Sequence, residues 1–337
     1  MNSTLHKLAV VGAIIAFAVI VLGAYVRLSH AGLGCPDWPG CYGHVTWPNE
    51  THEVARAEAA FPERPVETHK AWREMVHRYL AGALVLLVIG INVLSWRAEF
   101  REKGIRALAA GLLALILFQA ALGMWTVTLK LLPLVVMAHL MGGLTTFCML
   151  LWLSWRSKEP GPGRVPASLA PYRFAILLGL FVLIAQLALG GWTSANYSAL
   201  ACPDFPTCHG SFWPDADFAE GFVLWREIGV DYEGGVLDMQ ARIAIHVAHR
   251  VGALVTFAVL GILALRLIRN RAVRQDGMVL GALLLAQVVL GIQNVVLQLP
   301  LVNAVAHNGM GALLLAMMLW LTYRSALRPA PTPARIA

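Results

Sequence analysis

The chain has 337 residues, of which 58% are hydrophobic and only 13% charged. Soluble domains carry about a quarter charged residues, so this balance excludes an ordinary water-soluble fold and points to lipid as the solvent. The formal net charge of +7 does not indicate nucleic acid, because the cations alternate between successive loops in a membrane pattern.

Apolar runs of roughly 20 residues recur, each long enough to cross a hydrocarbon core of about 30 Å as a helix. In chain order they predict spans over residues 8–26, 75–96, 107–127, 134–155, 174–193, 243–267, 278–297 and 303–323. The first follows Lys7, but it lacks a small-x-small cleavage site and is long enough to remain as a helix in the mature protein. The expected fold class is therefore an all-α integral membrane protein of eight transmembrane helices.

Short loops bearing Arg97, Arg101, Lys103 and Arg106, then Arg156, Lys158 and Arg164, then Arg266, Arg269, Arg271 and Arg274, are assigned to the cytoplasm. Arg324, Arg328 and Arg335 put the C-terminus there, and the even number of spans puts the N-terminus there too. The long loops after the first and fifth spans hold most of the acids, among them Glu50, Glu53, Glu58, Glu63, Asp215, Asp217, Glu220 and Asp231, and face outward. Those loops also carry Cys35, Cys41, Cys202 and Cys208, on the side where an oxidising compartment permits disulfides. The cysteines either staple the loops or act as a dithiol relay with an external reductant. Cys148, inside a span, reads as inert packing.

The second half repeats the first at an offset near 170 residues. Gly23-Ala-Tyr-Val-Arg-Leu-Ser-His-Ala-Gly-Leu-Gly-Cys35-Pro-Asp-Trp-Pro-Gly-Cys41 answers to Gly191-Trp-Thr-Ser-Ala-Asn-Tyr-Ser-Ala-Leu-Ala-Cys202-Pro-Asp-Phe-Pro-Thr-Cys208. His77-Arg78 answers to His249-Arg250, the Gln119…Gly123 run to Gln287…Gly291, and His139 to His307. Four spans per half give both halves one orientation, so two four-helix bundles, 1–160 and 161–337, are expected about a pseudo-two-fold axis along the membrane normal.

His77, His139, His249 and His307 lie near the starts of the even-numbered spans, all at similar depth near the outer side. Imidazoles on facing helices can clamp a metal, and haem iron takes such axial pairs if small residues open a slot for the macrocycle. Gly82, Gly142, Gly143, Gly252, Gly309 and Gly311 are candidates for that opening. Arg78 and Arg250 are read either as partners of outward-pointing haem propionates or as interfacial anchors. Gln119 and Gln287 are read as helix-packing residues outside the site, and His30, His44, His52, His69 and His209 as surface residues.

One feature is not duplicated. Glu74 precedes His77 by three residues on one helix face, where the second half has His246. It is either a proton-moving or charge-stabilising group or a solvated acid at a helix start. His246 also competes with His249 as a ligand, the shared His-Arg dipeptide favouring His249.

Taken together, Gly-Ala-Tyr-Val-Arg-Leu-Ser from Gly23, Glu74-x-x-His77-Arg78, His139, His249-Arg250, His307 and the cysteine pairs resemble the haem A synthase family over nearly the whole chain. The resemblance implies haem O as substrate at His77 and His139 in the first half, haem b as cofactor ligated by His249 and His307 in the second, and an essential Glu74. It implies a disulfide within each cysteine pair, and conversion of a porphyrin methyl to a formyl group by two successive hydroxylations with electrons supplied from outside. It further implies a bacterial inner-membrane location with the haem sites toward the periplasm. The outward loops over 46–70 and 211–240 are long for the family and bear on docking of a haem O synthase or electron donor. The rival readings are a quinol-linked dihaem electron-transfer cytochrome, a transporter, and a structural assembly factor for an oxidase.

Overall fold

The computed structural model of the chain describes residues 4–97, 100, 104–158 and 167–326. Among the described residues, eight helices are long and apolar enough to cross a membrane. They are α1 (Thr4–Leu28), α3 (Thr68–Ser95), α4 (Ile105–Thr128), α5 (Pro133–Lys158), α6 (Arg173–Ala195), α8 (Met239–Arg269), α9 (Arg274–Val296) and α10 (Leu301–Ala326). Two short outer-loop helices, α2 (Thr51–Ala60) and α7 (Phe218–Gly221), complete the set, and a 3-10 turn over Ala167–Tyr172 leads into α6. Arg101, Lys103, Arg164, Arg328 and Arg335, and the 160/161 junction between the halves, lie outside the described residues.

Two helices extend well past their apolar runs on the side of the long loops. Helix α3 begins at Thr68 rather than near residue 75, because the Glu67 carbonyl accepts from the Lys70 and Ala71 N–H groups and starts the helix in polar sequence. Helix α8 begins at Met239, where the Asp238 side chain accepts from the Ala241 N–H at 2.9 Å. Hydropathy detects only the lipid-covered part of each helix, whereas these caps extend it into the outer loops.

Helices α1, α3, α4 and α5 pack in a ring of neighbours, and α6, α8, α9 and α10 pack in a second ring in the same order. The rings join where α1 meets α10 and α5 meets α6, contacts that exchange under a two-fold rotation. Backbone details repeat as well. The α4–α5 turn holds Lys130 and Leu131 at φ 46° and 62°, and the α9–α10 turn holds Gln298 and Leu299 at 57° and 60°. One core runs through both bundles, from Leu5 and Leu112 to Leu260 and Met318. At the end that carries Arg156 and Arg324, Trp155 packs on Trp320 with ring centroids 5.1 Å apart, and at the end that carries the long loops His30 stacks on Tyr197 at 5.9 Å. Around the outside, Leu86, Phe174, Phe181 and Leu254 are each at least 70% exposed, an outward apolar surface that requires lipid.

Candidate functional site

Each disulfide loop is a small, self-contained cap. Cys35 is bonded to Cys41 and Cys202 to Cys208, with Cα atoms 4.8 and 4.6 Å apart. Asp37 accepts from the Tyr42 and Gly43 N–H groups, and Asp204 from those of His209 and Gly210. Hydrogen bonds from the Thr207 hydroxyl and these amides lower the Asp204 carboxyl from 3.8 to about 2. In both loops the returning backbone needs a left-handed pair, Tyr42-Gly43 and His209-Gly210, the glycine at φ 75° each time.

The arginines that follow the candidate ligands hold these loops. Arg78 donates to the carbonyls of Asp37, Pro39 and Gly40, and Arg250 to those of Cys202, Asp204 and Thr207. Sequence offered propionate partner or interfacial anchor; the geometry gives both residues a third employment, fastening the cap onto α3 and α8. The first cysteine of each loop is held from the same helices. The Cys35 N–H donates to Glu74 Oε2 at 3.0 Å, and the Cys202 N–H to His246 Nδ1 at 3.3 Å. Glu74 and His246 are thus equivalent acceptors, 5% and 4% exposed. Glu74 is not a solvated acid at a helix start: the loop covers it, and Arg78 pairs with it at 2.5 Å.

Beneath the caps lie the four histidines, all partly buried. The imidazoles of each half are close enough to interact electrostatically, His77 with His139 and His249 with His307. Each ring edge rests on a glycine of a neighbouring helix. A Cβ would come within 2.9 Å of His77 Cε1 at Gly23, 3.4 Å of His139 Cε1 at Gly123, 3.2 Å of His249 Cε1 at Gly190 and 3.1 Å of His307 Cε1 at Gly291. Among the described residues, the buried Nδ1 atoms of His77, His139 and His307 have no hydrogen-bond partner. Paired imidazoles whose rings are each seated edge-on against a glycine of a neighbouring helix fit axial ligation of a haem.

The sequence profile of the cytochrome oxidase assembly protein family (COX15-CtaA) matches residues 6–319. The chain belongs to this family. It is 48% identical over 311 residues to a haem A synthase of Shewanella oneidensis, covering 90% of this chain and 92% of that protein. It is 27% identical over 330 residues to a haem A synthase of Beijerinckia indica, covering 90% and 88%. A third haem A synthase, from Rhizorhabdus wittichii, is 25% identical over 328 residues.

Within this family member, several expectations need correcting. The repeat aligns Gly23 with Gly190 rather than Gly191, since Gly190 seats His249 while Gly191 packs on Leu140 and Met137. The glycines that follow the histidines do not all open a slot. Gly142 receives the Gln119 amide and Gly252 the Gln186 amide, Gly309 faces Val21, and of the six only a Cβ at Gly82 would meet nothing within 4 Å. The glutamines are closer to the site than expected. Gln119 donates to the His139 carbonyl at 2.9 Å, and Gln287 Nε2 lies 3.3 Å from His307 Nε2. Sequence reasoning missed Gln186, whose Nε2 is 3.0 Å from both Nδ1 and the carbonyl of His249. Its register partner is Val19, so the repeat comparison held the signal as a polar residue present in one half only. Among the histidines read as surface residues, His52, His69 and His209 are exposed and His44 is partly so; exposed His30 joins the seam between the halves.

Proposed function

We propose that the chain is a haem A synthase that oxidises a methyl group of haem O to a formyl group. In this reading residues 1–160 form the substrate half, with haem O between His77 and His139, and residues 161–337 the cofactor half, with haem b between His249 and His307. The observation that carries it is the pairing of two glycine-seated histidine pairs with one unmatched carboxylate, since Glu74 stands where the other half has His246. A dihaem electron-transfer cytochrome has no use for that difference. The glycine seats of all four imidazoles support haem at both sites.

The haem b group, when bound, supplies one-electron transfer between an external donor and the substrate half. The protein's own residues do the rest. His77 and His139 orient the porphyrin, and the glycine seats hold the imidazoles so that little reorganisation is needed on binding. Glu74, one helical turn from His77 and fixed by Arg78 and Cys35, can hold or pass a proton and stabilise positive charge developing near the methyl carbon. Two successive hydroxylations, each a two-electron oxidation of the methyl carbon that needs an external oxidant, give a gem-diol, and loss of water leaves the formyl group. The disulfides staple the caps above the sites. The setting is a bacterial inner membrane with both termini cytoplasmic and the sites toward the periplasm, and the partners are haem O, a haem O synthase that delivers it, and an external electron donor.

The test is co-expression with a haem O synthase, followed by extraction and mass spectrometry of the haems. Wild type should yield haem A or hydroxylated haem O. Glu74→Ala should not, and neither should Glu74→His, which retains an acceptor for the Cys35 N–H and so should remain folded. Haem b alone from folded wild type with confirmed haem O supply would favour the electron-transfer cytochrome.

A further inference from the structure

We propose that Arg73 is the carboxylate-binding residue of the first-half site and takes a propionate of the porphyrin substrate; this rests on the reading of that half as the substrate half. The first four outer-side arginines to consider are already engaged. Arg27 donates to the Ser194 and Ala195 carbonyls, Arg56 to His52, Arg64 to Glu233, and Arg78 to Glu74 and its loop. Arg73 makes no hydrogen bond or ion pair to any described residue. Its guanidinium lies 5.3 Å from the Tyr25 ring centroid and 5.8 Å from that of Trp72, and its buried Nε lacks a partner. A planar guanidinium held by aromatic faces keeps its N–H fork free for a bidentate carboxylate.

Its position suits that ligand. Arg73 precedes His77 by four residues on α3, so both project from one helix face with Arg73 one turn nearer the outer side. The adjacent Glu74 does not cancel its charge, because Arg78 already pairs with that carboxylate. The cation also belongs to this half alone: in the register that matches Glu74 to His246, Arg73 falls on Ile245, a fully buried apolar residue. Cation and catalytic acid therefore occur together, in the half assigned to the substrate.

The experiment uses the purified full-length protein and two probes, haem O and its dimethyl ester, in which both propionates are neutral. Affinities are read by absorption titration, and the component lost in His77→Ala defines the first-half site. Wild type should prefer the free acid by at least about tenfold, the size expected of a hydrogen bond to a charged group. Arg73→Gln should erase that preference while leaving ester affinity unchanged, and Arg73→Lys should retain part of it. Equal binding of acid and ester by wild type overturns the proposal without any variant. So does an Arg73→Gln protein that weakens both probes alike, which would make Arg73 a packing residue for Tyr25 and Trp72. Absence of any His77-dependent haem O binding would instead overturn the substrate reading, and this proposal with it.

Discussion

At the scale of single residues, the glycine seats are the tightest constraint on the histidines. A methyl group at Gly23 would stand 2.9 Å from His77 Cε1, closer than side-chain carbons approach, whereas at Gly123 the gap to His139 is 3.4 Å, near ordinary contact. Gly23→Ala should therefore displace the His77 ring and lower haem O conversion strongly, by roughly the 10²-fold that misplacement by about 1 Å can cost. Gly123→Ala should be nearly silent. Haem A yield per folded protein measures both, and equal effects would show that the seats do not position the rings. The replacement of Glu74 by His246 belongs to the same scale. Both accept the cysteine N–H, so the substitution conserves the hydrogen bond and removes only the carboxylate.

Among the elements, the disulfide caps are held chiefly by one aspartate each and by an arginine from the helix below. Because the Asp204 carboxyl is lowered to about 2 in the folded loop, its contribution to loop order is fully present above 3.8 and is lost as pH falls from there toward 2. Amide exchange at His209 and Gly210 should accordingly keep its protection from neutral pH down to about 4 and lose it only in more acid solution, as expected for a carboxylate that stays ionised through the usual titration range. Loss of protection at pH 5 would mean that Asp204 does not hold the turn. The repeated Cys-Pro-Asp-aromatic-Pro-x-Cys spacing made these caps legible in sequence. The arginine clamp was not legible, since the partners of Arg78 and Arg250 are carbonyls, which every residue has.

For the whole molecule, the long loop after α6 crosses from its own half to the other. Tyr232, 3% exposed, packs with Leu33, Leu122, Leu131, Leu132 and Val135, and its N–H donates to the Lys130 carbonyl at 3.0 Å. Arg64 answers from the first loop by donating to Glu233 at 3.0 Å. Val135 is one turn before His139 on α5 and Leu122 adjoins its glycine seat, so this crossing lies beside the first histidine pair. On the proposed assignment of the haems, Tyr232→Ala should cost about 3 kcal/mol, as for other large aromatic truncations in packed surroundings, and speed transfer of haem O from the His77–His139 pair to a scavenger protein while leaving the haem of the other pair unchanged. Unchanged release would separate the crossing loop from access to the site.

Eight spans, their alternating charge, the duplicated halves and the four histidines were all readable in the sequence, because transfer into lipid is decided by the apolar length of each segment and a duplication leaves its residue types in order. Tertiary structure decided that Gly190 rather than Gly191 seats His249, that Gln186 reaches His249, that Arg78 and Arg250 hold the caps, that Arg73 lacks a partner among the described residues, and that the second loop reaches the first half. Each depends on the rotation and depth of one helix against another, quantities to which hydropathy is indifferent. Where polar caps extend α3 and α8 beyond their apolar runs, the same division applies: burial in lipid set the spans, and hydrogen bonds with the outer loops set the ends.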